Sequence, residues 1–152
     1  MSLCDLEPTA HGDLLCEACH GNRAAEVFLA IWNKVVHEID DEIDDDLHSP
    51  SRKLRTMVHL NILYSTDFYR IYAPQLKIIV ALVTSAYDDS VAWEKSVHEP
   101  EHRMADVLRF SGNEMVLAVA YITGGYERMR KLSPRLRLAS WAAHHAESGK
   151  PV

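Results

Sequence analysis

The chain has 152 residues, the usual size of a single domain with a hydrophobic core. Apolar residues make up 47% of it and charged residues 25%, and Gly and Pro contribute only six residues each, which excludes collagen-like and Pro/Gly-rich disordered chains. No apolar run reaches the roughly 18 residues that a membrane-spanning helix needs, so we expect no membrane segment.

The net charge of −6 is unevenly distributed along the chain. Seven of the 22 acidic residues lie between Glu38 and Asp46, whereas residues 127–137 carry five basic residues and one acidic residue. The basic stretch is short and the total charge is negative, which argues against nucleic acid as a partner. The two poles favour a small anionic or phosphorylated ligand, or pairing between the subunits of a homo-oligomer.

The N-terminal segment, residues 1–22, contains Pro8, two Gly and all three Cys, and it shows no helical period. We therefore predict that this segment is irregular. Its first residues have neither the basic region nor the apolar region of a secretory signal. The odd number of cysteines argues against a secreted disulfide framework, and together these features predict a cytoplasmic protein.

Cys16, Cys19 and His20 form the pattern C-x-x-C-H. It resembles the haem-attachment motif of c-type cytochromes, which implies two thioether bonds to the haem and His20 as an axial ligand. A zinc site is a second interpretation, with Cys4, Cys16 and Cys19 joined by His11 or His20. A redox dithiol and a segment that binds no ligand are the remaining alternatives.

The rest of the chain shows helical periodicity throughout and no alternating period of two. Apolar residues recur every three or four positions after Asn22, a suitable N-cap, which predicts a helix to about Leu47. The apolar run 78–83 lies in the third predicted helix, which starts at Pro74, and indicates that this helix is central. Four further helices are predicted: Ser51 to about Ser65 with Leu54, Val58 and Ile62 as its apolar face, Pro74 to about His98, Glu101 to about Ile122, and Ser133 to about Ala146.

These patterns predict an all-α fold, a single-domain bundle of five or six helices at residues 23–147 with a loop-like N-terminal segment before it. A frayed tail is expected at 148–152.

The end of the first long helix carries Asp40-Asp41-Glu42-Ile43-Asp44, which has the form D-D-x-x-D. Carboxylates at positions i and i+4 share a helix face, so Asp40, Asp41 and Asp44 are candidate ligands of Mg²⁺ or Mn²⁺. Negative charge is unfavourable at a helix C-terminus, so a metal ion or a basic partner is expected to compensate for it. The alternative interpretation is a solvated acidic helix end.

This pentad resembles the aspartate-rich motif of class I isoprenoid and terpenoid synthases. The resemblance implies an all-α fold and Mg²⁺ that binds a substrate diphosphate. It covers five residues, and Ala86 and Tyr87 stand where the acids of the second metal motif of these enzymes belong. The chain is therefore not assigned to that family.

His102, Asp106, Arg109 and Asn113 follow at spacings of 4, 3 and 4 on one face of the fourth predicted helix. One interpretation is a structural network of buried polar groups. The other is a catalytic or binding site in which Arg109 binds an anion. In that site, His102 or Asp106 would transfer a proton and Asn113 would orient the ligand.

Three hypotheses of function follow from these motifs. In the first, a metal held by the aspartates assists a site that acts on or senses a phosphorylated small molecule, bound by Arg109 and the basic residues of 128–137. In the second, the chain is a non-enzymatic helical interaction or oligomerisation module. In the third, it is a small zinc or haem protein organised by Cys16, Cys19 and His20. Whether the chain is an enzyme stays open.

Overall fold

The computed structural model describes residues 10–44 and 50–148, which form six helices and no strand and confirm the predicted all-α bundle. The predicted helix end at Leu47 lies outside the described residues, and so does the predicted tail at 148–152 except for Ser148, which is the last residue of the final helix. None of the described helices has the combination of length and apolar character needed to cross a bilayer. The helices are α1 (Ala10–Cys19), α2 (Arg23–Asp44), α3 (Pro50–Ser65), α4 (Asp67–Trp93), α5 (Glu99–Leu108) and α6 (Asn113–Ser148).

The expectation of a loop-like N-terminal segment is wrong for residues 10–19, which form α1. Arg135 of α6 makes two contacts of 2.8 Å with the Glu17 carboxylate, and Thr123 Oγ1 donates a hydrogen bond of 2.8 Å to the Ala18 carbonyl. These contacts hold α1 against α6. Its buried face follows helical spacing and consists of Leu14, Leu15, Ala18 and Cys19.

Helix α2 begins where the sequence predicts, because Asn22 Oδ1 accepts a hydrogen bond from the backbone N–H of Ala25 at 3.1 Å. Its apolar stripe enters the core, where Phe28 packs against Phe68 of α4 with ring centroids 5.5 Å apart. Each large side chain fully buried in this way contributes about 1.5–3 kcal/mol.

Helix α3 differs from the prediction in the direction of its apolar face, and helix α4 differs in the residue at which it begins. The predicted apolar face of α3 points outward, since Leu54, Val58 and Ile62 are 62%, 55% and 45% exposed. Helix α4 begins at Asp67 with Thr66 as its N-cap, and a kink at Tyr72 (φ −108°, ψ 19°) precedes the internal Pro74. A kink near proline is expected, because its ring disrupts a regular helix.

The predicted fourth helix is broken into two. Helix α5 ends at Leu108, and residues 109–112 form tight turns in which Phe110 N–H bonds to the Val107 carbonyl and Ser111 N–H to the Leu108 carbonyl. Helix α6 starts afterwards at Asn113. The prediction of one continuous polar stripe from residue 102 to residue 113 is therefore wrong.

Helix α6 is a hairpin of two helical halves rather than a straight rod. Gly125 has φ 81° and ψ 177°, a conformation essentially restricted to glycine. Beyond Gly125 the second half of α6 runs back beside the first half. Arg137 Nη1 of the second half therefore lies 2.6 Å from Glu114 Oε1 of the first half. The predicted helix start at Ser133 is wrong, since Pro134 lies inside the second half.

Replacing Gly125 with Ala is expected to lower the free energy of unfolding by about 1–3 kcal/mol, because an L-residue is strained at this backbone conformation. A Cβ there would meet no heavy atom within 4 Å, so the loss would come from the backbone alone. Chemical denaturation of the two proteins measures the difference. An unchanged or higher stability, the usual result of Gly→Ala inside a continuous helix, would contradict the hairpin.

Candidate functional site

The acidic end of α2 meets Arg109, the first residue after α5. Arg109 Nη1 lies 2.9 Å from Asp40 Oδ1, and its Nη2 lies 3.1 Å from both Asp44 Oδ1 and Glu94 Oε1. The Tyr87 hydroxyl donates a hydrogen bond of 3.2 Å to Asp40 Oδ1. This Arg109 cluster (Asp40, Asp44, Tyr87, Glu94 and Arg109) joins α2, the end of α4 and the turn after α5.

The Arg109 cluster favours a charged guanidinium and a neutral phenol. The Arg109 side chain is only 13% exposed, and burial acts to lower its pKa, but the charges of Asp40, Asp44 and Glu94 outweigh burial and raise the pKa above its ordinary value. Burial raises the pKa of Tyr87, and the neighbouring Asp40 charge raises it further. Tyr87 therefore remains a hydrogen-bond donor to the carboxylate.

Helix α3 supplies further positive charge to the acidic end of α2. The positive charge that compensates for the acidic end of α2 thus comes from the same chain. Part of it lies at the C-terminus of α2, where a cation is favourable. The cationic contacts are Arg52 Nη1 to the Asp41 carbonyl at 3.0 Å and Lys53 Nζ to Glu42 Oε1 at 3.6 Å. A hydrogen bond of 2.7 Å between His59 Nδ1 and Glu38 Oε2 also joins the two helices.

The three predicted metal ligands have different surroundings. Asp40 and Asp44 contact the same guanidinium, whereas Asp41 is exposed. Within residues 10–44 and 50–148, no three His, Cys, Asp or Glu side chains are grouped so that they could hold a metal ion. The Mg²⁺ or Mn²⁺ site stays a prediction.

Of the four residues of the predicted polar stripe, Arg109 alone contacts the acidic end of α2. His102 Nδ1 lies 2.9 Å from the Glu94 carbonyl oxygen, and Asp106 is exposed. Asn113 is buried at the start of α6, where its Oδ1 accepts a hydrogen bond of 3.1 Å from Ser140. The hydrogen bonds of the Arg109 cluster do not include Asn113, and the catalytic roles of the four residues stay predictions.

The two cysteines of the C-x-x-C-H motif are in different chemical states. Cys16 is disulfide-bonded, whereas Cys19 is a fully buried free thiol. Burial raises the pKa of Cys19 to about 12, which disfavours the thiolate that a metal or a redox reaction requires. His20 is exposed, and Cys4 lies outside the described residues. The structure thus favours Cys19 as a packing residue, and the haem, zinc and redox interpretations stay predictions.

An open, largely apolar groove of about 920 Å³ lies between α4, α5 and both halves of α6. Its volume falls in the range of small-molecule sites, about 300–1,000 Å³. The floor is formed by the buried Leu76, Val83 and Leu117, and the rim by Leu82, Val107 and Tyr121, which are 62%, 61% and 54% exposed.

A few polar groups face this groove. Arg130 and Arg137 line it from the second half of α6, and Arg137 is paired with Glu114. Arg130 has no ion-pair partner in the part of the chain that the structure describes. Ser111 also lines the groove, and within the same residues its buried Oγ has no hydrogen-bond partner. Apolar walls with a small number of polar groups are typical of ligand sites.

Comparisons with protein-family models, with curated proteins and with solved structures found no significant match to this chain.

Replacing Asp40 with Asn is expected to lower the free energy of unfolding by about 1–2 kcal/mol, because it removes a charge bound by Arg109 and Tyr87. The matched control is Asp41→Asn, which removes the same charge from an exposed neighbouring carboxylate and should change stability by less than about 0.5 kcal/mol. Urea denaturation at constant pH and salt measures both. Equal effects, or a gain in stability for Asp40→Asn, would show that the carboxylates act only as a repulsive surface.

Proposed function

We propose that this chain is a non-enzymatic binding module whose ligand occupies the groove between α4, α5 and α6. The observation that carries the proposal is the exposed apolar rim around a buried apolar floor. Covering Leu82, Val107 and Tyr121 would remove their apolar surface from water, which is favourable by about 25 cal/mol per Å². Exposed apolar patches of this kind often mark binding surfaces.

The chemistry of the groove supports binding rather than catalysis. Among the described residues, the two side chains whose pKa is displaced furthest, Cys19 and Tyr87, do not line the groove. The carboxylate at the groove, Glu114, is bound to Arg137. Active sites commonly combine a cleft with strongly displaced pKa values, and here the two features lie in different places.

The metal-dependent hypothesis has weaker support, because Arg109 binds Asp40 and Asp44, two of the three carboxylates that would hold the metal, and so pairs with them rather than with a phosphate. The haem or zinc hypothesis has weaker support because Cys19 is buried and protonated and Cys16 is disulfide-bonded.

Homo-oligomerisation and a cytoplasmic location stay predictions. The exposed Leu54 and Val58 of α3 offer an apolar surface to a second copy.

Replacing Leu82 with Gln is expected to weaken binding of the neutral apolar dye Nile red at least about fivefold, because Leu82 contributes apolar surface to the groove. Dye fluorescence titration measures the affinity. Leu54→Gln is the matched control, since Leu54 is also 62% exposed but lies on α3, away from the groove. Both variants should melt within a few degrees of the wild type.

A dye affinity that falls equally in the two variants, or only in Leu54→Gln, would place apolar binding elsewhere and contradict the proposed function.

A further inference from the structure

We infer that the ligand of the groove is a single-chain amphiphile with an anionic carboxylate or phosphate head, held with its head at Arg130 and its apolar chain along α4. The inference rests on the proposed function, and it specifies the class of ligand.

The shape of the groove fits a chain better than a compact ring system. The α4 residues that line it run from Tyr72 to Ala86, a rise of about 21 Å along the helix. Residues of α4 line the groove at each helical turn of this length, and the buried Leu76 and Val83, with Leu117 of α6, form its floor. An extended alkyl chain would bury apolar surface at each turn of α4.

The charge at the groove fits an anion. Arg130 and Arg137 lie seven residues apart on one face of α6, about 10 Å along the helix. Arg137 is neutralised by Glu114 at 2.6 Å, which leaves Arg130 as the arginine at the groove without a carboxylate partner among the described residues. A guanidinium binds carboxylate and phosphate oxygens through paired N–H groups.

The basic stretch at residues 127–137 strengthens this preference. Lys131 lies next to Arg130 in sequence and does not line the groove, so it adds positive potential without contacting the ligand. A neutral head would gain nothing from this potential, and a cationic head would be repelled. The charges at the groove therefore predict that ligands of equal chain length bind most tightly with an anionic head, less tightly with a neutral head and most weakly with a cationic head.

The experiment compares four ligands with the same 12-carbon chain: dodecanoate, dodecyl phosphate, dodecanol and dodecyltrimethylammonium. The three charged ligands are kept below their micelle concentrations, and dodecanol is kept below its solubility limit. Displacement of Nile red from the full chain measures their affinities. At least one of the two anions should bind about tenfold more tightly than dodecanol, and the ammonium should bind most weakly. A difference between dodecanoate and dodecyl phosphate identifies which anionic head the groove prefers.

Two charge variants locate the head. Arg130→Gln should weaken binding of the preferred anion about tenfold and change dodecanol affinity by less than twofold. Lys131→Gln removes the same charge from the adjacent residue and should change both affinities by less than about twofold, because it acts only through solvent-screened potential.

Equal affinities for dodecanoate, dodecyl phosphate and dodecanol, or equal losses in Arg130→Gln and Lys131→Gln, would overturn the inference. So would a protein that sediments with anionic phosphatidylglycerol vesicles but binds none of the monomeric amphiphiles, because its partner would then be a membrane surface. The proposed function is judged separately, by the Nile red contrast between Leu82→Gln and Leu54→Gln. That contrast can hold when no amphiphile binds.

Discussion

One guanidinium, that of Arg109, holds together the part of the bundle on which the groove depends. It binds carboxylates from α2 and from the end of α4, and it is the first residue of the turn that leads into α6. The next two residues of this turn, Phe110 and Ser111, line the groove, and the Gly112 carbonyl accepts a hydrogen bond of 3.1 Å from the Trp32 indole. The acidic residues thus act on the groove indirectly, by fixing the turn that forms one of its walls.

Local features of the fold were predictable from the sequence, and long-range ones were not. The all-α class and the start of α2 at Asn22 depend on helical spacing and on a cap, which act within a few residues. The outward face of α3 depends on which neighbour it packs against, and periodicity cannot identify that neighbour. The sequence predicts a break at Gly124-Gly125, which the structure has at Gly125, but the reversal of the chain there was not predicted, because the same Gly-Gly pair can end, interrupt or reverse a helix.

In the candidate site, too, the local features were predictable from the sequence and the long-range contacts were not. The sequence predicts that the acidic end of α2 needs a compensating cation, but the partner of Asp40 lies 69 residues away, and only folding brings it there. The groove was missed because its lining comes from four helical segments. The apolar run 78–83 was expected to mark a central helix, yet Ile78 and Leu82 are more than half exposed, and Leu82 forms part of the rim. The basic stretch at 127–137 was the one sequence feature that indicated an anionic ligand near this surface.

The central claim is that the groove between α4, α5 and α6 binds an alkyl chain. Locating a bound alkyl chain on the protein tests this claim most directly. Nuclear Overhauser contacts between the protons of dodecanoate and the labelled methyl groups of the chain would report it. We predict contacts to Ile79, Leu82 and Val107, which line the groove. Contacts to Leu54 and Val58 of α3, with none to the groove, would contradict it.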